Sequence, residues 1–218
     1  MARDDAEDST QISTQIRFDE RGLAPCVIQD ASTGEVLTLA YVNAEALERT
    51  RETGEMHLWS RSRDELWHKG ATSGNVQRVR ELRYDCDADA VLALVDPAGP
   101  ACHTGERTCF HRALGATDGD EGPGAVSFEA LPELERTLAA RKADRPEGSY
   151  TSQLLADPDL IGEKVREEAD EVARAVAGES DERIAEEAAD VLYHLEVALL
   201  SRDVPLTRAF DVLLARRR

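Results

Sequence analysis

The stretch Gly115-Ala-Thr-Asp-Gly-Asp-Glu-Gly-Pro-Gly124 separates two parts of this sequence that carry different hydrophobic patterns. It holds four glycines, one proline and three acidic residues in ten positions, and such a composition does not form a packed element. We therefore predict a linker at 115–127 between one domain at 16–114 and another at 128–218. Residues 1–15 carry almost no large apolar side chains, so we predict a flexible tail there.

The part before the linker has the pattern of short strands. Val36–Val42 is rich in apolar and strand-favouring residues and follows a turn signal at 30–34. Asn43 is predicted to cap a helix at 44–53, which Gly54 ends. Further strands are predicted at 56–59, 76–84 and 90–95. The fold class predicted for this domain is therefore α+β and β-rich.

The part after the linker has the pattern of helices. Apolar residues recur three or four positions apart over 160–176 and again over 184–199. Ser180 is predicted to cap the second of these helices, and the short connection between them predicts antiparallel packing. Pro205 is predicted to begin a last helix that ends at 216–218. The second domain is therefore predicted to be all-α and helical.

The charge of the chain excludes several classes of partner. With 26 Lys and Arg against 44 Asp and Glu, the net charge is −18, which repels both a nucleic-acid backbone and an anionic membrane surface. No apolar run approaches the roughly 20 residues that span a bilayer, and the acidic first residues are unlike a signal peptide. We expect a cytoplasmic protein that binds neither nucleic acid nor membrane.

Three of the four cysteines, Cys86, Cys102 and Cys109, lie within 24 residues. In a cytoplasmic chain this suggests metal binding or catalysis before disulfides. They form no C-x-x-C pair, so a zinc finger fits poorly, whereas three thiolates with one open position fit a catalytic zinc. The open position would hold a water molecule whose pKa the metal lowers. The alternative is that they are small buried hydrophobic residues, which is the role predicted for Cys26.

Three aspartates, Asp85, Asp87 and Asp89, alternate around Cys86. On a strand they would face one way and Cys86 the other, and their mutual repulsion would favour a hard cation such as magnesium. One regular strand cannot aim Cys86 and the aspartates at the same point, so either the strand bends or a second chain completes the site. The alternative is a solvated acidic turn.

The predicted helices carry a second group of carboxylates at spacings that share a helical face. Antiparallel packing would bring the two halves of the group together, and their repulsion would be offset by magnesium ions that bind a polyphosphate and activate water. The alternative is a solvated acidic face. The group consists of Glu167, Glu168, Glu171, Glu187 and Asp190.

The first domain resembles phosphoribosyl-AMP cyclohydrolase over roughly 16–113. The resemblance is carried, in order, by Leu37-Thr-Leu-Ala-Tyr-Val-Asn43, Trp59-Ser-Arg-Ser-Arg63, Trp67-His-Lys-Gly-Ala-Thr-Ser-Gly-Asn75, Arg83-Tyr-Asp-Cys-Asp-Ala-Asp89 and Gly99-Pro-Ala-Cys-His-Thr-Gly-Glu-Arg-Thr-Cys-Phe110. It implies that the three cysteines bind zinc, that the three aspartates bind magnesium, and that the protein is a homodimer with its site at the subunit interface.

The implied reaction adds water to C6 of the adenine ring of phosphoribosyl-AMP and opens the N1–C6 bond. A general acid or base should accompany the metal: His103, beside Cys102, is the first candidate and His57 the second, with a satisfied strand histidine as the alternative for His57. The remaining candidates are predicted to hold phosphate through charge, hydroxyl groups or backbone N–H groups. They are Arg61, Arg63, Lys69, Thr72, Ser73 and Gly74.

The second domain resembles phosphoribosyl-ATP pyrophosphatase over roughly 128–217. The resemblance is carried by Gly148-Ser-Tyr-Thr151, Glu163-Lys-Val-Arg-Glu-Glu-Ala-Asp-Glu-Val172 and Glu186-Glu-Ala-Ala-Asp-Val-Leu-Tyr-His194. It implies that the helical carboxylates bind magnesium and that Glu168 is catalytic. It also implies phosphate contacts from Ser149, Tyr150, Thr151 and Lys164.

The two resemblances interlock, because the product of the second domain would be the substrate of the first. They predict a bifunctional enzyme of histidine biosynthesis that uses Zn²⁺ and Mg²⁺ and binds small phosphorylated nucleotides. One alternative is a general nucleotide pyrophosphohydrolase with an inactive structural zinc domain. A second alternative is non-enzymatic: a structural zinc module joined to a helical dimerisation module.

Overall fold

The computed structural model describes residues 15–115 and 127–217. The chain divides into two compact units, and the boundary lies between Gly124 and Ala125. The predicted tail at 1–15 and the predicted linker at 115–127 lie outside the described residues, apart from positions 15, 115 and 127. Within the described ranges, no helix combines the length and apolar composition that a membrane span requires.

The first unit is built on a four-stranded sheet, in which the strands lie in the order β2 (Val36–Val42), β1 (Ala24–Asp30), β6 (Val91–Pro97) and β5 (Gln77–Tyr84). Strands β1 and β6 pair in parallel, and the two outer pairs are antiparallel. A separate antiparallel hairpin is formed by β3 and β4. The strands are β1 (Ala24–Asp30), β2 (Val36–Val42), β3 (His57–Ser60), β4 (Glu65–His68), β5 (Gln77–Tyr84) and β6 (Val91–Pro97).

Helix α1 (Ala44–Thr53) connects β2 to β3 and has the predicted ends. The Asn43 side chain accepts a hydrogen bond from the Ala46 N–H, and Gly54 closes the helix at a φ of 69°. Every second residue of β1 is buried, so the sheet presents an apolar face to the helix. Cys26 is fully buried in that core, which agrees with its predicted role.

The segment after β6 has little regular secondary structure and is held by side-chain and backbone contacts instead. An Arg107 Nη donates to Asp30 at 2.7 Å, and its Nε contacts Glu35. The Cys109 N–H donates to the Leu37 carbonyl at 2.8 Å. Because Asp30 is only 5% exposed, Arg107 compensates a buried charge and fixes the segment against the turn between β1 and β2.

The second unit is helical throughout its named elements. Helices α4 (Pro158–Gly178) and α5 (Asp181–Ser201) run antiparallel, since Glu168 of α4 contacts His194 of α5 and Glu171 of α4 lies near Glu187 of α5. Ser180 caps α5 as predicted, by accepting from the Arg183 N–H. The helices are α2 (Ala130–Asp144), α3 (Tyr150–Ala156), α4 (Pro158–Gly178), α5 (Asp181–Ser201) and α6 (Thr207–Arg216).

The last helix begins later than predicted. It starts at Thr207 rather than Pro205. Pro205 precedes the helix, and its carbonyl accepts a hydrogen bond from the Arg208 N–H at 3.0 Å. Helices α2 and α3 lie in a region where no helix was predicted. Leu138 of α2 and Leu154 of α3 join Ile161 and Val197 in the core of the unit.

Glu196 is an exception within that unit, because a carboxyl group is buried among apolar residues. The residue is 4% exposed, and neither carboxyl oxygen has a hydrogen-bond partner in the described structure. Burial, and then the nearby Glu135 carboxylate, raise the pKa of Glu196 to about 7.

We predict that Glu196→Gln stabilises the protein at pH 8. Since the pKa of Glu196 in the folded state lies above that of an exposed glutamate, the folded state holds one more proton than the unfolded state between roughly pH 4.5 and 7. The free energy of unfolding therefore falls as pH rises through that range. The amide carries no charge, so the gain is expected to be about 1 to 3 kcal/mol at pH 8 and to vanish near pH 4.5. Urea unfolding of both proteins at the two pH values measures it.

The matched control is Glu133→Gln, which changes an exposed glutamate of the same helix as Glu135. It is expected to leave the stability unchanged at both pH values. A gain from Glu196→Gln that is equal at pH 4.5 and pH 8 would contradict the burial of an ionisable carboxyl.

Candidate active sites

The three aspartates of the first unit lie in a turn rather than on a strand. Strand β5 ends at Tyr84, and the Asp85 carboxylate accepts from the N–H groups of Asp89 at 3.0 Å and Ala90 at 3.1 Å. Ala88 adopts a left-handed φ of 63°, which reverses the chain. The strand therefore bends, and ligand oxygens of Asp85, Asp87 and Asp89 lie within 4.8 Å of one another.

The charges of this turn are only partly balanced. The backbone N–H of Ala90 lowers the pKa of Asp85, whereas the Asp87 carboxylate raises the pKa of Asp89. All three side chains are exposed. Three close carboxylates that oppose one another's ionisation form the kind of oxygen-donor set that hard cations bind, because a cation offsets the repulsion.

Cys102 and Cys109 lie close together in the segment after β6. The Thr104 hydroxyl donates to the Cys102 Sγ at 3.1 Å, and it is the main cause that lowers the pKa of Cys102. Burial raises the pKa of Cys109, and the neighbouring Cys102 raises it further. The Lys69 ammonium donates to the Ala101 carbonyl at 2.5 Å; burial lowers the pKa of Lys69, and the two cysteines oppose that effect.

Cys86 does not join the other two cysteines. It lies exposed in the aspartate turn, and among the described residues the three cysteines do not appear as one group of close metal ligands. Within one copy of the chain, Cys102 and Cys109 therefore lie together, and Cys86 is not close enough to join them at a single metal ion.

A cavity of 850 Å³ in the first unit brings together several predicted site residues. The Arg61 guanidinium lies 3.8 Å from the centre of the Tyr41 ring, and that of Arg63 lies 5.9 Å from the centre of the Trp67 ring. Such cavities suit a nucleotide, since aromatic faces stack on bases and arginines bind phosphate. Its functional lining consists of Tyr41, Trp59, Arg61, Arg63, Trp67 and His103.

The other predicted residues of this unit lie outside the lining of that cavity. His57 is 8% exposed, its Nδ1 lies 2.9 Å from the Glu55 carbonyl, and its ring stacks on His68. Thr72, Ser73 and Gly74 form an exposed turn.

That turn is positioned by the residues at its two ends. Gly70 has a φ of 89°, and a Cβ there would collide with the Asn75 backbone. The Asn75 amide donates to the Pro100 carbonyl at 3.1 Å, and this contact places the turn beside the segment that carries Cys102.

The helical unit gathers part of the predicted carboxylate group. Ligand oxygens of Glu168, Glu171 and Glu187 lie within 4.8 Å of one another, and Glu168 and Glu187 are buried. Burial is the main cause that raises the pKa of Glu187, and Glu171 adds to it. Glu171 comes from α4 and Glu187 from α5, so the antiparallel pair of helices builds the cluster.

Arg183, which was not among the predicted site residues, lies in this cluster. Its guanidinium donates to Glu171 at 3.3 Å and contacts Glu187, which follows it by one helical turn. The signal in the sequence was the i, i+4 spacing between Arg183 and Glu187. A positive charge of the chain itself therefore balances carboxylates that were predicted to bind magnesium.

Glu167 and Asp190 are not among the carboxylates whose ligand oxygens lie within 4.8 Å of one another. The Lys164 ammonium donates to Glu167 at 2.7 Å and lies 3.8 Å from a Glu168 oxygen. His194 Nδ1 lies 2.9 Å from the Asp190 carbonyl and 3.8 Å from a Glu168 oxygen. Lys164 and His194 thus approach Glu168 from two directions.

The hydroxyl groups predicted to contact phosphate have partners within the unit. Ser149 caps α3 by accepting from the Ser152 N–H. The Tyr150 hydroxyl lies 3.1 Å from His194 Nε2. Thr151 is fully buried, and its hydroxyl is 2.8 Å from that of Tyr193. Tyr150 is linked to the glutamate cluster through His194, whereas Thr151 has no exposed surface.

Comparison with known proteins finds a matching family for each of the two units. A family model described as phosphoribosyl-AMP cyclohydrolase matches residues 38–111, and one described as phosphoribosyl-ATP pyrophosphohydrolase matches residues 131–217. A relative from Bacillus subtilis, described as histidine biosynthesis bifunctional protein HisIE, is 50% identical over 203 residues, which cover 93% of this chain and 95% of the relative. The chain belongs to the HisIE family.

Two further HisIE proteins support the assignment. The relative from Gloeobacter violaceus is 50% identical over 204 residues, covering 93% of this chain and 90% of its own length. The relative from Thermus thermophilus is 51% identical over 185 residues, covering 84% of each chain. The chain is therefore a multifunctional hydrolase of the HisIE family with a cyclohydrolase domain before a pyrophosphohydrolase domain, and both resemblances read from the sequence are confirmed.

The position of Arg183 in this HisIE chain leads to a prediction about magnesium. In Arg183→Met the glutamates lose their internal cation, so the Tm of the magnesium-free protein should fall by a few degrees. Added magnesium should then raise the Tm more than it does in the parent, because the ion no longer competes with the guanidinium. Thermal unfolding in chelator and across a MgCl₂ titration measures both effects.

Arg208→Met is the matched control, because Arg208 pairs with Asp211 on α6, away from the glutamate cluster. It should leave the magnesium-induced shift unchanged. Equal magnesium-induced shifts in Arg183→Met and the parent would show that the guanidinium and the ion do not share these carboxylates.

Proposed function

We propose that this chain catalyses two consecutive hydrolytic steps of histidine biosynthesis. The helical unit cleaves phosphoribosyl-ATP to phosphoribosyl-AMP and pyrophosphate, and the β-rich unit opens the adenine ring of phosphoribosyl-AMP at the N1–C6 bond. The observation that carries the proposal is that each unit matches the family model of one step and holds its own cluster of possible metal ligands.

In the helical unit, Glu168, Glu171 and Glu187 fit magnesium because they offer close oxygen donors from two helices. Glu167 and Asp190 would complete the set. Magnesium, when bound, binds the polyphosphate and makes a water molecule more nucleophilic. Glu168 would take a proton from that water, and the Lys164 ammonium, 3.8 Å from its carboxylate, would favour its ionised form. Lys164 would hold the phosphate chain, with Ser149 and Tyr150 around it, whereas the fully buried Thr151 would support them from within the unit.

In the β-rich unit, Cys102 and Cys109 fit zinc because their thiols lie together, and the nearby Lys69 ammonium favours the thiolate form that binds the metal. The third thiolate, Cys86, would come from a second copy, so that two chains form each site. Zinc, when bound, lowers the pKa of a water molecule enough for attack at neutral pH. Magnesium would occupy the oxygen-only set of Asp85, Asp87 and Asp89.

The 850 Å³ cavity is the proposed substrate site of this unit. Arg61 and Arg63 lie over aromatic rings. The Arg63 Nε contacts the Ser60 hydroxyl and the Glu65 carboxylate, so its Nη groups would bind phosphate oxygens beside the Arg61 guanidinium. Trp59 offers a face for the adenine ring. His103 lines the same cavity and lies beside Cys102, so it can carry a proton between the attacking water and N1 as the N1–C6 bond breaks. Lys69 and the turn at 72–74 would contact the second phosphate, and His57 is the alternative proton carrier.

Two single variants should separate the two steps. Cys102→Ser removes a zinc ligand and should accumulate phosphoribosyl-AMP from phosphoribosyl-ATP. Glu168→Gln should stop at phosphoribosyl-ATP yet still open the ring of added phosphoribosyl-AMP. Each affected step is expected to slow at least 100-fold, as for the loss of a proton acceptor. Chromatography of both substrates over time measures the two rates.

Parallel assays of each variant on the substrate it should still turn over serve as internal controls. If Cys102→Ser opened the ring at the parental rate, the zinc assignment would be wrong. Turnover of common nucleoside triphosphates by the parent at rates equal to that of phosphoribosyl-ATP would favour a general nucleotide pyrophosphohydrolase.

Mixing two inactive variants tests whether the zinc site is shared between two copies. In a Cys86→Ser and Cys102→Ser heterodimer, one of the two sites has all three cysteines. After unfolding and refolding an equimolar mixture, roughly a quarter of the parental ring-opening activity should return, since half of the dimers are mixed. Each variant alone should stay inactive.

The matched control is a Cys102→Ser and Cys109→Ser mixture, in which both sites lack a ligand whichever chains pair. It should recover no activity. No recovery in the first mixture, with size-exclusion chromatography showing mixed dimers, would mean that a single chain provides all three cysteines.

A further inference from the structure

The helical unit contains a second cavity, of 520 Å³, whose lining includes none of the glutamates of the metal cluster. It lies between α2, the end of α5 and the turn that leads to α6. Most of its walls are apolar, with Leu138, Leu199 and Leu206 among them. Its size is within the range of small-molecule sites in proteins.

Three carboxyl groups, those of Glu196, Glu135 and Asp203, interrupt the apolar walls. Glu196 is 4% exposed, and both of its oxygens lack a hydrogen-bond partner in the described structure. Glu135 accepts from the Leu206 N–H at 3.0 Å through one oxygen. Burying a carboxylate that has neither a hydrogen-bond donor nor a counter-ion raises the free energy of the folded state. The cavity therefore lacks a positive group beside Glu196.

The positive side chains of the surrounding elements do not supply the missing charge. Arg136 lines the cavity but is exposed, and among the described ion pairs none joins it to Glu196. The Lys142 ammonium is engaged by Asp203 at 2.6 Å and by the Leu200 carbonyl at 2.8 Å. The charged groups around Glu196 are therefore one further glutamate, the Lys142–Asp203 pair and an outward arginine.

We propose that this cavity binds a small organic cation, with an ammonium group at Glu196 and Glu135 and an apolar body against the leucines. A protonated amine supplies both the positive charge and the hydrogen-bond donors that the buried carboxylate lacks. A divalent metal ion fits less well, because magnesium and calcium take six or more oxygen ligands and the walls offer mostly carbon. The site is independent of the proposed catalytic steps.

Binding of such a cation is coupled to a proton. Burial holds the pKa of Glu196 at about 7, so the carboxyl must lose its proton before it can pair with an ammonium group. Between pH 6 and pH 8 the ionised fraction rises about tenfold, and the affinity should rise by the same factor. Glu135, Arg136, Lys142 and Asp203 also face this region.

Calorimetric titration of the full chain with 2-phenylethylamine at pH 6 and pH 8 tests the proposal. We expect saturable binding that is about tenfold tighter at pH 8. At pH 6 binding should release close to one proton, which two buffers of different ionisation enthalpy reveal, whereas at pH 8 it should release little. The neutral analogue 2-phenylethanol should bind at least tenfold more weakly. Glu196→Gln should weaken amine binding at least tenfold, while Glu133→Gln should leave it unchanged.

Three results would overturn the proposal. Equal binding of the amine and the alcohol would mean that the cavity recognises only apolar surface. Parental binding by Glu196→Gln, shown to be folded by its thermal transition, would place the amine elsewhere. No binding of the amine at pH 8 by the parent would show that the proton alone compensates Glu196.

Discussion

Repulsion between closely held carboxylates is the constraint on which both units of this protein depend. The chain has 18 more acidic than basic residues, and its fold still brings acidic side chains together. Each such group needs a positive charge or a set of donors, and the structure uses a different one each time. Backbone N–H groups hold Asp85, Arg107 joins Asp30 and Glu35, and Arg183 lies between Glu171 and Glu187.

These compensations differ in how easily they can be replaced. Arg107 holds together a segment with little secondary structure, so its loss would leave Asp30 buried without a partner. Arg183 is half-exposed on one helix, and the proposed magnesium ion would compete with it for the same glutamates. The first arrangement is therefore structural, whereas the second suits a site that binds and releases metal.

The sequence predicted most of the local structure because local structure depends on neighbouring residues. Asn43, Gly54 and Ser180 marked helix ends through hydrogen bonds within one turn, and apolar spacing located α4 and α5. The parallel pairing of β1 with β6 joins residues more than 60 positions apart, which no local pattern specifies. Helix α2 was missed although Leu131, Leu134 and Leu138 recur at helical spacing; of its residues only Leu138 is buried.

The candidate sites were predictable to the extent that they are contiguous in sequence. The aspartate turn and the i, i+3 glutamates were visible, whereas the bend that resolves the position of Cys86 depends on the left-handed Ala88. Thr151 illustrates the opposite case, because a residue in a recognisable motif proved to be fully buried. Arg183 was missed although Glu187 follows it by one helical turn, because its second partner, Glu171, lies on the neighbouring helix. Glu196 was missed because Glu135 beside it lies on α2, which was not predicted.

The net charge of the chain and the charge of its proposed substrates can be reconciled by where the positive groups lie. An anionic nucleotide is repelled by a chain of net charge −18 unless local cations outweigh the distant acids, and screening limits those acids to about 8 to 10 Å in physiological salt. Arg61 and Arg63 line the cavity and lie over aromatic rings. Arg63 also pairs with the exposed Glu65 at 3.1 Å, so the Arg61 guanidinium is the less compensated of the two charges. In the helical unit the same role falls to Lys164 and to the proposed metal ions, because the nearest side chains there are the glutamates themselves. The acidity of the chain therefore excludes long polyanions, which cannot avoid the acidic surface, but permits small ones that contact only the local cations.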